Sequence, residues 1–129
     1  MILLTIDTTK NISSIKEEFN SIFPYLKLEF FKHKHGISNP SPKKDLFESS
    51  INLNQITKKY RDGFINITQD IEVGKLERLF QDQFGLSVQV FRKSGSSWLE
   101  TTFTNDWSLK RQNETGKELS QLTRFRDIS

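Results

Sequence analysis

The sequence predicts an α+β fold: a ferredoxin-like duplicated βαβ sandwich, with a five-stranded sheet and a C-terminal helix. Three observations carry this. Apolar residues alternate with period two, then adopt helical spacing, then alternate again. The same script is played twice, over residues 2–34 and 64–93. A glycine turn after the second copy leads into a tract of Thr and aromatic residues that reads as a fifth strand.

Each copy opens on an alternating strand, Leu4 and Ile6 in the first and Ile65 and Ile67 in the second. Thr9 and Asp70 are candidate caps, because a side-chain oxygen there would accept an orphan amide of the following turn. Ile12, Ile15, Phe19 and Phe23 then fall on one helical stripe, and Val73, Leu76, Phe80 and Phe84 repeat those intervals 61 residues later. Pro24 and Gly85 end the two helices, the first by lacking a donor and the second by tolerating a left-handed exit. Leu26, Leu28 and Phe30 form the returning strand of the first copy; Leu86, Val88 and Val90 form that of the second. Lys32 and Arg92 close the two strands.

Between the copies, residues 36–62 hold a Pro-rich loop and a short helix from Leu53 to Tyr60 capped by Asn52. Lys93 to Ser97 reads as a hairpin connection, and Trp98 to Thr104 as the fifth strand. Asp106 is the expected cap of a final helix whose apolar stripe (Leu109, Leu119 and Leu122) is interrupted by Gly116. Residues 98–122 thus extend a single domain of residues 1–129, and Thr123 to Ser129 should fray. Right-handed crossovers and a pseudo-twofold relation between the halves complete the expected architecture.

Composition narrows the function. The absence of cysteine excludes a disulfide scaffold, a thiolate metal centre and a Cys nucleophile. No apolar run approaches the roughly 20 residues of a membrane helix. Met1 to Asp7 has no basic n-region or cleavage site, so no signal peptide is expected and the chain reads as cytoplasmic. The net charge of +3 is concentrated between Lys27 and Lys44, where Lys27, Lys32, Lys34, Lys43 and Lys44 oppose the single Glu29. Such a stretch suits an edge strand protected from aggregation, or one that contacts phosphate.

Catalytic patterns are missing. There is no phosphate-cradling glycine loop, nucleophile elbow or HExxH. His33 and His35 have the spacing of two ligands on one strand face, but no third ligand is signalled, so neither a metal nor a cofactor is expected. The informative feature is the sheet's reverse face. If both helices cover one side, the other carries Leu3, Phe31, Phe64 and Phe91 among Lys27, Glu29, His33, Ser87, Gln89 and Lys93. A face so apolar needs a cover: the final helix through Trp107 and Leu109, a second subunit, or a ligand. The Trp98–Trp107 tract either pins that helix to the sheet or borders a groove for an added peptide strand.

Phe31, Phe64, Phe91, Lys32, Lys34, Arg92, Lys93, Trp98 and Trp107 are therefore the candidate binding residues, and no catalytic residue is assigned. The expected function is a non-catalytic interaction module that self-associates or binds a protein partner. The alternative is a single-stranded nucleic-acid platform, with bases stacked on Phe31 and Phe91 and phosphates held by Lys32, Lys34, Arg92 and Lys93.

Overall fold

A computed structural model describes residues 1–32, 46–47, 50–57 and 63–128, with residues 123–128 described by their backbone alone. The elements run β1 (Leu4–Asp7), α1 (Ile12–Ile22), β2 (Leu26–Phe31), α2 (Leu53–Ile56), β3 (Phe64–Ile67), α3 (Val73–Phe84), β4 (Ser87–Ser94), β5 (Ser97–Glu100) and α4 (Leu109–Ile128). A 3-10 turn over Thr102–Thr104 joins β5 to α4. The fold is α+β, with a duplicated βαβ pattern in ferredoxin-like order, five strands and a C-terminal helix.

The strands hydrogen-bond as two ladders rather than one continuous five-stranded sheet. β1 pairs with β3, and β2–β4–β5 form a second ladder, all antiparallel. Both ladders respect the repeat. In the first, Leu4 faces Ile67 and Ile6 faces Ile65, so a shift of 61 residues exchanges the two pairs. In the second, Leu28 faces Val90 and Phe30 faces Val88, exchanged by a shift of 60. Equivalent strands thus pair with each other, as two halves about a local twofold must when they meet antiparallel.

The duplication reaches further than apolar periodicity reveals. Ile12 N–H donates to Ile51 O at 2.9 Å, Leu53 N–H to Lys10 O at 3.0 Å and Asn54 N–H to Thr8 O at 2.9 Å. In the second half Val73 N–H donates to Trp107 O at 3.0 Å, Leu109 N–H to Ile71 O and Lys110 N–H to Gln69 O, both at 2.9 Å. α2 and the start of α4 are therefore equivalent elements, each clipped to the turn before the main helix of its half. Phe31 also bridges Leu46 as Phe91 pairs with Glu100 in β5. The repeat is strand, helix, strand, paired segment, helix.

These clips correct the expected caps. Asn11, not Thr9, caps α1, its Oδ1 accepting from Ser14 N–H at 2.7 Å. The α3 cap position is Glu72 rather than Asp70, and its side chain makes no cap bond. The first amides of α3 reach loop carbonyls instead, Val73 to Trp107 and Gly74 to Asn105 at 2.7 Å. Ser108, not Asp106, holds the first turn of α4, its Oγ accepting from Arg111 N–H at 3.1 Å. α2 begins after Asn52 as expected, and Asn52 N–H donates to Gln55 Oε1 at 3.0 Å; residues 58–60 of the expected helix lie outside the described residues. β5 ends at Glu100, where the chain winds into the 3-10 turn instead of continuing to Thr104. α4 keeps its helical backbone to Ile128 where fraying was expected.

The core draws on both halves. All four stripe residues of each main helix are buried, with Leu4, Ile6, Leu28, Ile65, Ile67 and Val88 from the strands. Phe30 of β2 meets Phe80 of α3 edge-on with ring centres 5.6 Å apart, so the halves interlock through aromatics. Gly85 closes α3 at φ 66°, and its N–H donates back to Gln81 O at 3.0 Å, a left-handed exit that a Cβ would strain.

Candidate functional site

Strand alternation decides which side chains share the outer face of β2–β4–β5. Lys27 faces Phe91, Phe91 faces Glu100 and Lys93 faces Trp98 across the ladder, so all five stand on one side. There the Lys27 ammonium lies 5.2 Å from the ring centre of Phe91 and 5.1 Å from that of Trp98. The Lys93 ammonium lies 6.0 Å from the ring centre of Trp98. One cation over two half-buried rings is held by their quadrupoles, about 0.5–1 kcal/mol per contact at such exposure. The cluster borders the outer edge of β5, which pairs with no strand among the described residues.

This same face changes character along its length. Phe31, Ser87 and Gln89, at the other end, are buried, and Glu29 forms a 2.7 Å ion pair with Lys16 of α1. Phe31 was expected on an open face, but it is only 2% exposed. On this face, among the described residues, accessible rings are confined to the hairpin end.

Phe64, expected on the same reverse face as Phe91, belongs to the other ladder. It stands 59% exposed in β3 opposite Asp7. Arg92 is also displaced: as a neighbour of Phe91 in β4 it points to the opposite side, over Trp107 with its Cζ 5.7 Å from the ring centre. Lys32 is exposed at the end of β2, and Lys34, His33 and His35 lie outside the described residues. The structure thus brings together Phe91, Lys93 and Trp98 of the expected set and adds Lys27; it places Arg92 with Trp107 elsewhere.

α4 does not cover the Phe91 face. It crosses β4 on the Arg92 side, where Gln112 Oε1 accepts from Arg92 Nη1 at 2.9 Å and Asn113 Oδ1 accepts from Tyr25 N–H at 2.9 Å. Gly116 allows this approach: a Cβ there would stand 2.9 Å from Tyr25 Cβ and 3.1 Å from Arg92 Cγ. Leu109 is buried in the core, Leu119 is half-buried and Leu122 is exposed. The stripe that docks α4 is Leu109, Gln112 and Gly116, which an apolar periodicity cannot register because two of its three members are not apolar.

Neither family models, curated proteins nor solved structures give a match to this chain.

Other chemistry is sparse. Among the described residues no three His, Asp or Glu side chains converge as metal ligands, and no helix is long and apolar enough to cross a membrane. A cleft of about 350 Å³ lies between Leu3, the end of α1 at Ile22 and Phe23, and Lys110, Asn113 and Glu114 of α4. Its polar lining is Gln69, Lys110, Asn113 and Glu114, with no histidine, serine, threonine or cysteine among them.

Proposed function

We propose that this chain is a non-catalytic interaction module of the cytoplasm that binds a protein partner through the hairpin end of β2–β4–β5. A second copy of the chain is the simplest such partner. The observation that carries the reading is the Lys27 ammonium poised over both Phe91 and Trp98 beside the edge of β5, which pairs with no strand among the described residues. Half-exposed aromatics among charged groups are the composition of recognition surfaces, and a short open edge offers main-chain hydrogen bonds to an added strand. Leu99 and Phe103, both exposed, supply apolar contact near that edge.

Light scattering over a concentration series tests the self-association. The mass is expected to rise toward that of a dimer in the parent chain and to stay monomeric in Trp98→Ala. A constant monomer mass up to high concentration rules out the second copy as partner.

A second reading, single-stranded nucleic-acid binding, draws on the two lysines beside two rings. Here the ammonium groups already occupy ring faces that bases would need, which favours the protein reading. Fluorescence anisotropy with a labelled oligonucleotide distinguishes them: nucleic-acid binding requires an affinity that falls steeply with salt.

A further inference from the structure

We propose that Arg92 and Arg111 form a binding site for one oxyanion, a carboxylate or phosphate group, at the Trp107 indole between β4 and α4. The site lies on the face of β4 opposite Lys27 and Phe91, where Leu99 of β5 is the cross-strand neighbour of Arg92.

Among the described residues Arg92 is a cation without a counterion. Its Nε is buried and has no acceptor, and its guanidinium donates through Nη1 to the neutral amide of Gln112. A guanidinium carries five donors, and arginine taken out of water is ordinarily paired with an acid. Among the described residues neither Arg92 nor Arg111 is seen in an ion pair, unlike Lys10 with Glu18 and Lys16 with Glu29. Asp106, next to Trp107 in the chain, is exposed and pairs with neither. Burial lowers the pKa of Arg92 below the ordinary guanidinium value, the electrostatic mark of a charge held in partly dehydrated surroundings.

The site is also prearranged. Gln112 is fully buried, and its Nε2 donates to the carbonyl and hydroxyl oxygens of Thr104 at 2.7 and 2.8 Å. This turns Oε1 toward Arg92 and holds the guanidinium without neutralising it. Arg111 stacks on Trp107 with its Cζ 3.7 Å from the ring centre, and Arg92 lies 5.7 Å from the same centre. A stacked guanidinium keeps its in-plane N–H groups free for a planar oxyanion. Two like charges around one indole repel, and an anion shared between them relieves that repulsion while satisfying unused donors.

Nitrogen-15 NMR of the arginine Nε–H and tryptophan indole signals provides the test, titrating inorganic phosphate and then acetate against chloride at constant ionic strength. Saturable shifts are expected at Arg92, Arg111 and Trp107. Arg111→Gln, an exposed change that leaves the core intact, should weaken binding by about tenfold. Lys93→Gln, on the other face, should leave it unchanged. Tighter phosphate binding identifies a phosphate group as the natural ligand, and tighter acetate binding a carboxylate. The proposal is overturned by shifts that rise linearly without saturation, by shifts spread evenly over the surface, or by an Arg111→Gln affinity equal to the parent's.

Discussion

Leu53 and Leu109 occupy equivalent places in the two halves: each is fully buried, and each donates its backbone N–H to a carbonyl just before the main helix of its half, Lys10 O and Ile71 O. The two residues start α2 and α4, helices of 4 and 20 residues, so the equivalence resides in the anchor rather than in helix length. Leu53→Ala and Leu109→Ala should each cost about 2–5 kcal/mol, as deletion of buried methyl groups does. Urea denaturation of both variants measures the loss. A negligible change at either position would mean that its clip does not hold the half together.

Gly116→Ala should destabilise the protein although alanine favours helix by about 1 kcal/mol. The added Cβ would meet Tyr25 Cβ at 2.9 Å, Arg92 Cγ at 3.1 Å and the Lys93 carbonyl at 3.2 Å. Overpacking of this kind costs about 1–3 kcal/mol and should prevail, because the obstructing atoms lie close to the backbone. The denaturation midpoint should fall with the m-value unchanged.

The Asp7 carboxylate is held below its ordinary pKa of 3.8, chiefly by the Thr9 hydroxyl, then by Thr9 N–H, with a smaller contribution from Lys10. A depressed carboxylate contributes stability that is present above the unfolded pKa and lost as pH falls through the folded one. Stability should therefore decline below about pH 4, and Asp7→Asn should reduce that acid dependence while leaving the slope near neutral pH unchanged. Thermal melts at stepped pH values read both effects.

Lys27→Met removes the ammonium from Phe91 and Trp98 while keeping an unbranched stem. The stability change should stay below about 1 kcal/mol, whereas Trp98 emission should shift because its ring loses a charge 5.1 Å away. An unchanged emission spectrum would show that the cation does not rest on the ring in solution.

Phe80→Ala should be among the most damaging single changes, about 3–5 kcal/mol. Its ring meets Phe30 of the other half and Phe84 of its own helix, at 5.6 and 6.0 Å between centres. Calorimetry should show one cooperative transition at lower temperature, since the contact joins the halves.

Periodicity alone was enough to place both main helices, the strand–helix–strand order and nearly all of the core, because burial imposes a 3.6-residue or two-residue repeat on the residues that carry it. Pro24 and Gly85 marked the helix ends for equally local reasons. Strand partners are a different matter. Nothing in the order of residues states that β1 pairs with β3 and β2 with β4, so alternation alone assigns Phe64 and Phe91 to one face although they stand on separate ladders. Register, too, was needed to set Lys27 beside Phe91 and to turn Arg92 away from it. Tertiary packing also satisfied the first amides of α1 and α3, which found carbonyls at Ile51 and Trp107, far along the chain. Local sequence determined what could be buried, because hydrophobicity and backbone preference belong to each residue. Which buried surfaces met was decided only in the folded chain, because hydrogen-bond pairing and side-chain fit depend on residues that sequence keeps apart.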